Sequence, residues 1–100
     1  MDHLDVARTI IDQIGHNTLR AMGARSEYVA TYDKLGGVII RFGRIRRIKI
    51  ALNWKDLYDV ELWKVDETDV EKLAEESDVY VETLTEVIRS MLRASGYAHA

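Results

Sequence analysis

From Arg46 to Val65 the chain alternates apolar and polar residues in strict twos. Ile48, Ile50 and Leu52 fall on one face of a strand, and Tyr58, Val60 and Leu62 fall on one face of the next. That period predicts two β-strands joined at Asn53-Trp54-Lys55-Asp56, with one side of the sheet buried and the other wet. The ends of the chain carry a different period. Leu4, Ala7, Ile10, Ile11 and Ile14 recur at three and four residues, so Asp2 to Gly15 reads as a helix capped by Asp2 and stopped by Gly15. Val81, Leu84, Val87, Ile88, Met91 and Leu92 predict a second helix over 78–95, with Ser77 or Asp78 as its cap and Gly96 at its end.

Between these, Asn17 can cap a short helical turn that ends at Gly23 and points Leu19 and Met22 inward. Tyr28, Ala30 and Tyr32 alternate and predict a strand over 26–33. Gly36-Gly37 marks a turn, Val38 to Phe42 is a short β-branched strand, and Gly43-Arg44-Ile45 turns the chain into the central hairpin. Residues 66–78 fit two readings. Val70, Leu73 and Ala74 with abundant Glu suit a helix, and a fifth strand competes with it. The expected fold is α+β: an antiparallel four- or five-stranded meander with an N-terminal and a C-terminal helix packed on one face.

The alternation fixes the central register. Leu52 should face Tyr58, Ile50 should face Val60 and Ile48 should face Leu62. A slip by one residue would bury Asp59 against Ile50. Lys49 then faces Glu61 as a cross-strand ion pair, and Arg47 can stack on Trp63. If Phe42 faces Ile48, Arg41 lies opposite Lys49.

Composition narrows the chemistry. One hundred residues, 47% of them hydrophobic, are enough for one domain with a modest core. There is no cysteine, which removes thiol catalysis and Cys-type zinc sites. No apolar run reaches the roughly 20 residues of a membrane helix, and the acidic start Met1-Asp2-His3-Leu4-Asp5 lacks the order of a secretory signal. A cytoplasmic setting is expected. Net charge is −3, but it is unevenly spread. Residues 1–50 hold nine Lys and Arg against five Asp and Glu, and residues 51–100 hold five against twelve. Five of the bases lie between Arg41 and Lys49, and seven of the acids lie between Asp66 and Asp78.

Three uses of the wet face follow. Arg41, Arg44, Arg46, Arg47 and Lys49, with Trp54 and Trp63, could meet phosphates and stack a base. Asp59 and Glu61 with Lys64 hint at a metal-dependent nuclease, but Lys64 is three residues from Glu61 and alternates to the other side. The third use is docking of a protein, with Arg41, Arg44, Arg47, Lys49, Trp54, Glu61 and Trp63 as the surface. The acidic run 66–78 could pair with the basic run of a second copy. His3, His16 and His99 are dispersed, with His3 and His99 expected in frayed termini. No catalytic residue, metal or cofactor is assigned.

Two stretches carry a resemblance. They are Ile11-Asp12-Gln13-Ile14-Gly15-His16-Asn17-Thr18-Leu19-Arg20-Ala21-Met22-Gly23-Ala24 and Ile50-Ala51-Leu52-Asn53-Trp54-Lys55-Asp56-Leu57-Tyr58-Asp59-Val60-Glu61, followed by Val79, Tyr80 and Leu84 and by Ser95-Gly96-Tyr97. Together they resemble a family of small uncharacterised proteins encoded by tailed bacteriophages and prophages. The resemblance spans most of the chain. That family has an extra threonine before the glycine after Ala-Met, and its segment ahead of the last helix is more strand-like, which weighs toward a fifth strand. The resemblance implies a mobile-element origin and a host-cytoplasm setting, and no activity. The resulting expectation is a non-enzymatic accessory protein that binds a host or phage protein, within which an inhibitor of host machinery or defence falls.

Overall fold

Five strands form one antiparallel sheet in sequence order, β1-β2-β3-β4-β5. The computed structural model describes residues 2–97, so His99 lies outside the described residues. Helix α1 (His3–Ile14) is followed by α2 (His16–Ala21), β1 (Ala24–Thr31), β2 (Gly37–Phe42), β3 (Arg46–Leu52), β4 (Tyr58–Val65), β5 (Val70–Val79) and α3 (Val81–Ala94). The α+β meander with terminal helices is as the periodicity predicts, and the open question over 66–78 resolves to a fifth strand.

Helix α1 begins where expected, with the Asp2 carboxylate accepting from the Asp5 N–H at 2.9 Å, and ends at Gly15. Two caps fall elsewhere. Gly15, not Asn17, occupies the N-cap of α2, with no side-chain hydrogen bond there. Tyr80, not Ser77 or Asp78, occupies the N-cap of α3, because Asp78 adopts a left-handed φ of 58° and spends its carboxylate on the β3–β4 turn. His3 is not frayed. It lies in the first turn of α1, with its ring 4.7 Å from that of Tyr32.

The core lies between the sheet and the helices. Val38, Ile40, Phe42, Ile48, Ile50, Val60 and Leu62 line the inner side of β2–β4, against Val6, Ala7, Ile10 and Ile11 of α1 and Leu84, Ile88 and Leu92 of α3. Removing one such side chain down to alanine typically costs about 2–5 kcal/mol. Leu19 and Met22 point inward as expected. Strand β5 differs. Of its ten residues only Val79 is buried and Ala74 half-buried, so it projects as an edge with both sides wet.

Candidate binding face

The outer face of the sheet carries no helix, and β3 and β4 set its centre. Their register is the expected one: Ile48↔Leu62, Ile50↔Val60 and Leu52↔Tyr58 pair inward, while Arg47↔Trp63, Lys49↔Glu61 and Ala51↔Asp59 pair outward. Strand β2 corrects one expectation. Phe42 pairs with Arg46, so Arg41 faces Arg47, and Ile39 faces Lys49. The cause is the turn: Gly43 at φ 63° closes the hairpin with only three residues, Gly43 to Ile45. Pairing Phe42 with Ile48 would need a longer loop. On the other flank Trp63 faces Lys72, Glu61 faces Glu75 and Val65 faces Val70. Ile39, Arg47, Lys49, Trp63, Val65 and Val70 line a shallow, mainly apolar trough in this face.

At one end of the face the charges around Asp59 are partnered. Asp59 pairs with Lys34, its Oδ1 accepts from Asn53 Nδ2 at 2.9 Å, and the Asp78 N–H donates to the same oxygen at 3.1 Å. Burial pushes the Asp59 carboxyl up, but the bonds from Lys34, Asn53 and Asp78 together hold it below the usual carboxylate range. The hydrogen bond to Asp59 raises Lys34 correspondingly. Asn53 is buried and also donates to Asp78 Oδ1 at 2.8 Å, while its own oxygen accepts from the Lys55 and Leu57 N–H groups. Lys55 Nζ reaches Asp78 Oδ2 at 3.0 Å. Lys49 does not pair with Glu61. Asp33, from the β1–β2 loop, takes it at 2.8 Å, and that bond draws the Asp33 carboxyl down.

The other end is different. Arg47 sits opposite Arg41, and its guanidinium is lowered from its ordinary value by burial and then by the fields of Arg41 and Arg25. Its Nη1 donates only to backbone carbonyls, of Arg46 at 3.1 Å and Arg44 at 3.4 Å. Among the described residues no carboxylate forms an ion pair with Arg25, Arg41, Arg44 or Arg47. The expected stacking of Arg47 on Trp63 gives way to another contact. Lys72 Nζ lies 5.8 Å from the Trp63 ring centroid, and Trp63 Nε1 donates to Glu61 at 2.8 Å.

Not every candidate joins this group. Arg46 turns to the inner side, where Nε donates to Ser95 Oγ at 2.8 Å, Nη2 donates to the Ser95 carbonyl, and the guanidinium lies over Tyr97. Trp54 is 79% exposed at the β3–β4 turn, beside Lys34, Asn53 and Asp59 and not beside the arginines. Asp59 and Glu61 share the outer face, but Asp59 is committed to Lys34, Asn53 and Asp78, and Lys64 alternates to the other face, in register with Arg46 and Glu71. Among the described residues no group of three His, Asp or Glu is placed to hold a metal ion. Sequence reasoning missed Arg25, Ile39, Lys72, Val65 and Val70. The alternation of β2 could have placed Ile39, and the turn at 66–69 could have paired Val65 with Val70. Arg25 had no such signal, because the β1–β2 register breaks between Ala24 and Tyr28.

The fold and face define the class as a two-layer α+β protein with an open antiparallel sheet. No family model, curated protein or solved structure gives a significant match to the chain. Among the described residues no helix is long and apolar enough to cross a membrane.

Proposed function

We propose that this protein is a non-enzymatic binding module that docks another protein on the outer face of its sheet. The carrying observation is the trough of Ile39, Trp63, Val65 and Val70, rimmed by Arg47 and Lys49 and left uncovered by the helices. A tryptophan and an arginine beside an apolar floor is the composition of binding hot spots. The resemblance to small phage and prophage proteins supports a host-cytoplasm setting and a host or phage protein as partner, with blocking of host machinery or defence as the effect. The test is capture of a partner from host lysate on the immobilised chain. Capture should be lost with Trp63→Lys and with Arg47→Glu and retained with Trp54→Ala, which lies off the trough. Capture indifferent to Trp63 and Arg47 defeats this reading.

A second reading has its own support. Arg25, Arg41, Arg44 and Arg47 lack carboxylate partners, which suits a phosphate backbone. The engagement of Trp63 by Lys72 and Glu61 disfavours base stacking. Oligonucleotide binding that falls steeply with salt and vanishes in Arg47→Glu would establish it. No mobility shift at low salt removes it.

A further inference from the structure

The meander translates an asymmetry along the chain into one across the sheet. Residues 1–50 are net basic and residues 51–100 net acidic, and strands β1–β3 come almost wholly from the first half, β4 and β5 from the second. On the outer face, Arg41, Arg47 and Lys49 (the last paired with Asp33) therefore lie to one side of a line between β3 and β4, and Glu61 and Glu75, with one base, Lys72, lie to the other. The apolar trough straddles that line, with Ile39 on the basic side and Trp63, Val65 and Val70 on the acidic side. The balance of charge therefore changes sign across that line, with Lys72 and the Lys49–Asp33 pair reducing the contrast.

We propose that a second copy of this chain closes the outer face, forming a two-fold dimer of stacked sheets. The inference rests on the reading of this face as a protein-docking surface and names its occupant in the absence of a host partner. Charge selects the symmetry. A two-fold axis across the strands lays basic strands on basic strands, and one running along β3 sets Arg47 on Arg47. An axis parallel to the strands, between β3 and β4, lays β3 of one copy on β4 of the other. Lys49 then meets Glu61 of the second copy, Arg47 meets its Trp63, and Arg41 of β2 comes over its Lys72 on β5, the one like-charged contact of this arrangement. Sheets stacked this way lie about 10 Å apart with strands crossing at about 30°. The four strands that overlap about this axis, β2–β5, spaced at about 4.8 Å, offer roughly 400 Å² in projection, below what standard specific interfaces bury per partner. Weak, concentration-dependent association fits that size. Host binding and self-association would then compete for one surface.

Sedimentation velocity on the full chain tests this. The wild type should be dimeric at about 100 µM. Lys49→Glu and Glu61→Lys should each weaken the dimer at least tenfold, since each sets two like-charged pairs across the axis. Mixing the two variants in equal amounts should restore a dimer, because both contacts of the mixed species then join opposite charges. Val70→Asp, at a site 61% exposed and so tolerant of folding, should also be monomeric. A monomeric wild type, dimeric single variants, or a mixture that stays monomeric overturns the proposal. If the wild type is monomeric while lysate capture still depends on Trp63, the second copy is excluded and the docking face stands. If both fail, the face itself is misread.

Discussion

The two ends of the outer face are built to opposite rules. Around Asp59, three cationic or amide side chains and a backbone N–H converge on acids, and Asn53, the one buried polar side chain among the described residues, has both its nitrogen and its oxygen satisfied. Around Arg47, cation faces cation across β2 and β3 and no carboxylate answers. The first arrangement ties three loops together: residues 32–36, the β3–β4 turn and the left-handed residue before α3. The second ties only Arg47 to nearby backbone carbonyls and sets it against Arg41. Like charges set side by side on an exposed face support the proposed docking role.

Substitutions at the two ends should therefore have effects of opposite sign. The largest effect is expected at Gly37, on the Asp59 side, where an added Cβ would lie 2.0 Å from the Ile50 carbonyl oxygen. Backbone cannot yield there as a flexible side chain would. Gly37→Ala should cost about 3 kcal/mol, read as a lowered denaturation midpoint. Asp59→Asn should cost about 1–2 kcal/mol at neutral pH, because Lys34 loses its partner and Asn53 a charged acceptor. The Asp59 carboxyl is depressed in the folded state, so its stabilisation is full above the unfolded value near 4 and fades as pH falls through the folded one. The difference in stability between wild type and Asp59→Asn should thus shrink in acid. Lys34, being raised, would lose its contribution only at strongly alkaline pH. The smallest effect is at the other end. Arg41→Gln should stabilise by a few tenths to about 1 kcal/mol, more at low salt, while weakening partner capture. A destabilised Arg41→Gln chain would erase the contrast between the ends.

What the sequence disclosed follows the same physics. The β3–β4 register was legible because a slip would have exchanged Ile50 and Asp59 between core and solvent, and both helices were legible from stripes such as Leu84, Ile88 and Leu92. Strand β5 was not. With both sides wet it shows no alternation, and its Glu, Lys, Leu and Ala favour a helix locally, a preference that pairing with β4 overrides. The β2–β3 register hinged on a turn length that periodicity does not encode. Among the site residues, Arg41, Arg47, Lys49, Glu61 and Trp63 were correctly placed outward, but their bonding was not legible. Cross-strand neighbours need not be partners: Asp33 reaches Lys49 from a loop, and Trp63 claims Glu61 through its ring N–H.

The long, uncovered β5 has a last consequence. An edge of ten residues with free backbone groups is a template on which further chains could lengthen the sheet into ribbons. Glu71, Glu75, Glu76 and Asp78 outnumber the single base, Lys72, on that edge, so two such edges repel each other when they approach. The safeguard against fibrous growth is therefore ionic, strong in dilute neutral solution and weakened by acid or concentrated electrolyte.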